Sequence, residues 1–363
     1  MRYLALLSLL CVSGFGAQTA VVGVDGLSPD DVAKAVSVLK KNFVRPDALT
    51  DAELARATLQ GLLDRLAPAV SLVTGTAAPE PAVPFYSEVW NQRTGYLRLG
   101  ELSAANIEKA RQALKDWNGN SVTAAVLDLR GTPASSDFES GANVARLFCA
   151  RGTEMFSLNA GKGHVLKLSG STAGQSTPGT EDTRTYSADT PPAFNGILVV
   201  MVDGETAEAP EAVAACLQKC AKALVVGDKT SGRAFQYSEV PLDGSLLRVA
   251  VAQVILSDGK KLGENGLTPD ISVGLGSASK QAVMRSITAK GVASVIEERI
   301  RPHLNEAALV AGSNPEVDEL QQEQAGKKPV EALIDRQLQR ALDLVTSISI
   351  FQAKGAVSPK NGE

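Results

Sequence analysis

Residues able to carry chemistry gather in two stretches of the chain. Ser135 and Ser136 close the run Leu129 to Ser136, L-R-G-T-P-A-S-S, and the segment Thr206 to Arg233 holds Glu208, Glu211, Lys229, Ser231 and Arg233. A serine hydroxyl beside an amine that can be neutral near pH 7 makes a nucleophile and its base. Ser135, Ser136 or Ser231, on glycine-containing loops with Lys229 as the amine, is therefore one arrangement for hydrolysis. Ordinary loop serines have the same signature.

Glu208 and Arg233 offer different chemistry. A carboxylate has no hydroxyl to give, and a guanidinium with a pKa above about 12 does not act as a base in a protein. What the two suit is a bidentate ion pair, so a Glu208–Arg233 salt bridge is the expectation. Two unrelated exposed charges, worth little, are the alternative. His164 and His303 are the sole histidines, and neither has a cysteine or paired carboxylate at ligand spacing, so no metal and no cofactor are expected. Cys216 and Cys220, four apart on one helix face, could meet Cys149 in a disulfide, or all three could be small core residues.

These residues need a frame. Ile197 to Val202 is an apolar strand, Asp203-Gly204 a turn, and a helix rich in Ala, Val, Cys and Leu follows; a second strand, Ala223 to Val226, ends at Gly227 and opens into the Lys229–Arg233 loop. Upstream, Thr94 to Leu102 alternates as a strand, Ala104 to Trp117 reads as a helix, Ala124 to Leu129 as a buried strand and Phe138 to Phe148 as a helix. Residues 151–190 read as a hairpin and a polar loop. Pro241 to Val273 contains Asp243-Gly244 and Asp258-Gly259 between alternating runs, which predicts hairpins. In the N-terminal part, Ser28-Pro29 caps one helix, and Thr50 with Glu53 forms a capping box for another.

The order of these motifs resembles the carboxyl-terminal processing (tail-specific) serine peptidases. Thr206–Glu211, T-A-E-A-P-E, stands where that family has T-A-S-A-S-E, and Val225–Arg233 where it has V-V-G-x-x-T-x-G-K. The resemblance implies that Glu208 occupies the nucleophile position, Arg233 that of the lysine base, and Gln236 that of the glutamine supporting the lysine, one residue closer than is usual. It implies oxyanion-equivalent positions at Ala134 and Ala209, with Ala134 and Ser135 replacing the family's paired glycines, where a Cβ hinders close backbone approach. Leu66–Ser71, L-A-P-A-V-S, lacks the Asp and His of the family's L-D-P-H-S, and fewer than 25 residues occupy the place of its peptide-binding PDZ domain. The segment Asp335–Val345, D-R-Q-L-Q-R-A-L-D-L-V, resembles the family's closing helix, and Ile334, Leu338, Leu342 and Val345 form an apolar face.

The expected fold is α/β, a Clp-protease/crotonase-like peptidase core with an N-terminal helical unit and a helical C-terminal extension. Its parts are a signal peptide at 1–20, the helical unit at 27–71, a linker at 72–93, the core at 94–276, a helical region at 277–351 and a disordered tail at 352–363. The leader rests on Arg2, the apolar run Leu4 to Val12 and small residues to Ala20, a run too short to span a bilayer. Cys11 lacks the small residue expected before a lipidated cysteine. Export to a periplasm or medium follows, with no membrane span. A net charge of -4 without a basic block excludes nucleic acid as a partner.

Three functions fit this sequence: a pseudopeptidase binding or regulating polypeptide, in one form by adding a peptide strand to a sheet edge; an active serine endopeptidase with a relocated nucleophile; and a structural envelope protein. A homo-oligomer formed through the C-terminal helices is an expected partner arrangement besides a polypeptide.

Overall fold

The computed structural model describes residues 24–74, 83–161, 182–263, 265–275, 279–297 and 333–356. The expected leader, His164, His303 and most of the expected helical addition lie outside the described residues. The chain divides at Arg65/Leu66 into two units.

In the first unit, α1 (Pro29–Asn42) begins with Pro29 behind Ser28, whose hydroxyl accepts from the Asp31 N–H at 3.2 Å. Proline suits that position because its missing N–H would go unbonded there anyway. α2 (Asp51–Leu66) is capped by Thr50, whose hydroxyl accepts from Glu53 N–H. Lys40 pairs with Asp51 and Arg65 with Asp25.

The second unit is built on a six-stranded sheet of order β12-β8-β7-β4-β3-β2. Its members are β2 (Tyr86–Trp90), β3 (Thr94–Arg98), β4 (Ala124–Asp128), β7 (Ile197–Val202), β8 (Leu224–Gly227) and β12 (Ile271–Ser272). All neighbours pair parallel except β2 with β3. Because successive side chains of a strand point to opposite faces, these strands feed two cores. Leu97, Ala125, Leu127, Val200 and Val202 pack with α3 (Ala104–Gly119), α4 (Phe138–Arg146) and α5 (Glu208–Cys220). Tyr96, Val126, Val199 and Met201 pack with α6 (Lys280–Lys290) and α7 (Arg336–Ala356). Helices on both faces explain why the strands read as nearly continuous apolar runs.

A second, antiparallel sheet has the order β1-β10-β5-β6, from β1 (Val70–Thr74), β5 (Glu154–Ala160), β6 (Thr183–Ser187) and β10 (Ser245–Leu256). β9 (Phe235–Leu242) and β11 (Lys261–Leu262) also pair with β10. The two-residue turn at Asp243-Gly244, with Gly244 at φ 70°, sets the β9/β10 register. The α/β class is the one the sequence indicated.

Several boundaries differ from the sequence reading. The helical unit ends at Leu66, and Val70–Thr74, read as its end and the start of a linker, is a strand on β10. The linker also contains β2, because the alternating Tyr86–Trp90 pairs with β3 and covers the sheet edge. The tail expected to be disordered from 352 starts as helix, since α7 runs to Ala356 and no proline or glycine interrupts it before Gly355. Leu338, Leu342 and Val345 are buried against the protein's own sheet, so the face that a second copy would need is already covered.

α7 is fixed by charge as well as by packing. Arg130 is fully buried; it donates to Asp128 at 2.9 and 2.7 Å, to Asp335 at 3.0 and 2.7 Å and to Gln337 at 2.8 Å. Burial pushes Arg130 down, and the two aspartates more than offset it. Asp335 also caps α7 by accepting from Gln337 and Leu338 N–H.

Candidate functional site

Three loops meet at the carboxyl ends of β4, β7 and β8, where open parallel sheets place their sites. The β7 loop is an Asx turn: Asp203 Oδ1 accepts from Glu205 N–H and Thr206 N–H, and from the Thr206 hydroxyl at 3.0 Å. Lys280 pairs with Asp203 at 2.9 Å and with Glu205, which pulls its pKa up against the opposing effect of burial. The loop delivers Glu208 as the first residue of α5. Glu208 has φ 56°, a left-handed conformation that costs a non-glycine residue about 1 kcal/mol or more. Pro210 fits in the first helical turn because no helical N–H is needed there.

Glu211, one turn on, organises the β8 loop. Its carboxylate is fully buried and accepts from the Thr230 hydroxyl, from Ser231 Oγ–H at 3.4 Å, and from Gly232 and Arg233 N–H at 2.9 Å each. Burial raises its pKa, and these four donors oppose the rise.

Glu208 is 2% exposed, and its partners are not the expected one. It accepts from Arg248 Nη2 at 2.8 Å and from the Ser136 hydroxyl at 3.2 Å. Arg248, on β10, also donates to Glu239 at 3.2 Å and lies 4.3 Å over the Tyr237 ring. Burial lowers the Arg248 pKa, but the Glu208 bond and the two carboxylate charges leave it raised. Tyr237 is pushed up to about 12, chiefly by burial and then by Glu208.

The expected Glu208–Arg233 salt bridge is therefore absent. Arg233 faces a separate cleft, and its Nε is buried without a hydrogen-bond partner. The left-handed turn at Glu208 hands the carboxylate to the hairpin that bears Arg248.

The expected oxyanion positions part company. Ala209 N–H donates to the Ser135 carbonyl at 3.0 Å, so that donor is engaged inside the protein. Ala134 is exposed on the cleft wall. Gln236 is buried on β9, opposite Ala252 and next to a register shift in β10.

Of the serines, Ser135 Oγ accepts from Asp137 N–H, Ser136 donates to Glu208 and Ser231 to Glu211. Lys229 is exposed and no bond joins it to any of them among the described residues. Cys149, Cys216 and Cys220 are free thiols, and no described group of His, Cys, Asp and Glu could hold a metal. No described helix is long and apolar enough to cross a membrane.

The sequence reading missed Arg248 and the organising role of Glu211. Arg248 was signalled as the one charge in the apolar run Leu246–Leu256, and the two-residue turn sets it opposite Glu239. Nothing local signalled its contact with Glu208, 40 residues earlier.

A doubly covered parallel sheet whose carboxyl-end loops converge on a strand-turn-helix corner makes this an α/β protein with its candidate site at the strand ends. Residues 93–273 match the family described as Peptidase family S41, and the chain belongs to that family.

The chain is 28% identical over 184 residues to the C-terminal processing peptidase, chloroplastic, of Tetradesmus obliquus, covering 50% of this chain and 35% of that protein. It is 28% identical over 203 residues to the carboxyl-terminal-processing protease of a Picosynechococcus species, covering 55% and 44%. The matches thus span less than half the length of these relatives. A solved photosystem II D1 C-terminal processing protease is 25% identical, with 61% of this chain and 53% of that one covered and a TM-score of 0.40.

Proposed function

We propose that this family member is an exported pseudopeptidase that binds or regulates polypeptide without cleaving it. The observation that carries the reading is the hydrogen bond from Ala209 N–H to the Ser135 carbonyl. A hydrolase needs its oxyanion donors free and aimed at the developing charge. Two further features support the reading. At the position that the motif resemblance gives to the nucleophile stands Glu208, held in an ion pair with Arg248, and at that of the base stands Arg233, which cannot take up a proton. Export rests on the leader pattern of residues 1–20.

A second reading, hydrolysis by a displaced nucleophile, is favoured by the Ser136–Glu208 hydrogen bond of 3.2 Å. Against it, the Glu208 carboxylate is already engaged in an ion pair with Arg248.

The test is an assay on an unfolded protein substrate with the wild type, Ser136→Ala and the double variant Glu208→Ser/Arg233→Lys. A silent wild type beside a double variant that cuts supports a peptidase scaffold that has lost its dyad. Cutting by the wild type that disappears in Ser136→Ala overturns the proposal in favour of the displaced nucleophile.

A further inference from the structure

Beside the pseudocatalytic corner lies a cleft of about 780 Å³ whose walls are largely apolar, with Val83, Pro84, Pro133 and Met284 among them. Two buried donors in it lack partners. Thr132 is 5% exposed and its hydroxyl oxygen has no hydrogen-bond partner, and the Nε of Arg233 has none either. Buried polar groups are nearly always satisfied, so an orphan pair in one cleft points to a ligand that completes it.

The charge lining the cleft is net positive, with Arg233, Lys280 and Arg285 against Glu205. Lys280 is neutralised by Asp203 and Glu205, the latter being the one carboxylate that lines the cleft among the described residues. Arg233 and Arg285 form no ion pair among the described residues; Arg285 donates to the Gln281 carbonyl of its own helix. Behind the wall, Arg98 is fully buried with no carboxylate partner among the described residues. It donates instead to the Pro84 carbonyl, the Met284 carbonyl and the Thr288 hydroxyl, all on residues that line the cleft. A buried cation compensated by dipoles and by the Tyr86 ring, 5.6 Å away, rather than by a carboxylate raises the potential in front of it.

We propose that this cleft binds a monocarboxylate with an apolar body, its head group held by Arg233 and the Thr132 hydroxyl. The guanidinium fork matches the two oxygens of a planar carboxylate, and the hydroxyl supplies a third donor. Arg98 and Arg285 add unpaired charge, and the apolar walls take the hydrocarbon part. A small free acid and the free carboxyl end of a peptide present the same head-group chemistry, and only the chain-end form of the site rests on the polypeptide reading.

The test uses the full chain in calorimetric titrations with octanoate, octanamide and octyl phosphate, and with one apolar hexapeptide in free-acid and amidated forms. Octanoate or the free-acid peptide is expected to saturate the site, while octanamide and the amidated peptide do not. Octanoate binding identifies a small-acid site, and binding by the free-acid peptide alone identifies a chain-end site. Arg233→Gln is expected to weaken the acid about tenfold or more, and Thr132→Val by a smaller factor. Arg233 is half-buried, so Arg233→Gln keeps the test decisive should Thr132→Val fold poorly. Arg336→Gln, at an exposed position on α7, is expected to leave binding unchanged.

Equal binding of amide and acid, stronger binding of the phosphate, an unaltered affinity in Arg233→Gln, or no saturation at millimolar acid overturns the proposal. Cleavage of the unfolded protein by the wild type would sink the pseudopeptidase reading and leave this one standing.

Discussion

Replacing Asp335 by alanine tests how the last helix is held to the sheet. The change removes two N–H···O⁻ bonds from Arg130, at 3.0 and 2.7 Å, and the cap on the Gln337 and Leu338 N–H groups. Bonds to charged groups are each worth about 1.5–3 kcal/mol, and a lost cap about 1 kcal/mol. Arg130 keeps its pair with Asp128, so the variant leaves no uncompensated buried charge, and removing Asp335 relieves repulsion between the two aspartates.

These opposing effects place the loss near 3 kcal/mol, short of the simple sum. At about 2–4 °C per kcal/mol for a unit of this size, the midpoint should fall by roughly 6–12 °C. Thermal unfolding followed by tryptophan fluorescence reads the right unit, since Trp90 lies on β2 and Trp117 on α3. Asp343→Ala, on the exposed face of the same helix, is the control and should shift stability by no more than about 0.5 kcal/mol. Should Asp335→Ala melt with the control, the Arg130 network is not what fastens α7.

Three further outcomes follow from local geometry. Gly95→Ala should destabilise the second unit by about 3 kcal/mol or prevent its folding, because the new Cβ would sit 2.3 Å from the buried Trp117 ring; urea unfolding checks this. Cys220, lowered to about 6 first by a hydrogen bond from Cys216 and then by one from Ser257, should alkylate with a midpoint near that pH, while buried Cys149 stays unreactive; iodoacetamide labelling with mass spectrometry reads both. Glu211 has a raised pKa, so its contribution is greatest below the ordinary carboxyl range and declines as pH rises through the folded value. The stability of the wild type relative to Glu211→Gln should therefore fall from about pH 4.5 upward, as measured by urea unfolding at a series of pH values; a rising difference would show the carboxylate to be net stabilised.

How much of this was legible depended on sequence separation. The strand Ile197–Val202 and the Ser28 and Thr50 caps are written in short-range patterns, and the structure has them where those patterns lie. The Asp243-Gly244 turn also fixed Glu239 opposite Arg248, because a two-residue loop leaves one register. What escaped was long-range or masked by composition. Tyr86–Trp90 alternates as a strand, yet it follows a stretch rich in Pro, Ala and Thr and was read with it as a linker.

The Arg130–Asp335 pair joins residues 205 apart, and no local pattern couples them. The site failed in a similar way. Glu208 and Arg233 are a chemically sensible pair by type, but the positive φ at Glu208 and the hairpin carrying Arg248 decide the actual partner. The Ala209–Ser135 hydrogen bond lies between backbone atoms, where side-chain identity gives no signal.

The most direct test of binding without hydrolysis follows one sample through both steps. A fluorescently labelled, unfolded polypeptide is titrated with the purified chain by anisotropy, and the intact mass of the same polypeptide is then measured after prolonged incubation. Saturable binding with an unchanged mass, alike for the wild type and Ser136→Ala, is the predicted result. Fragments produced by the wild type and absent with Ser136→Ala would contradict the account and assign the site a working nucleophile.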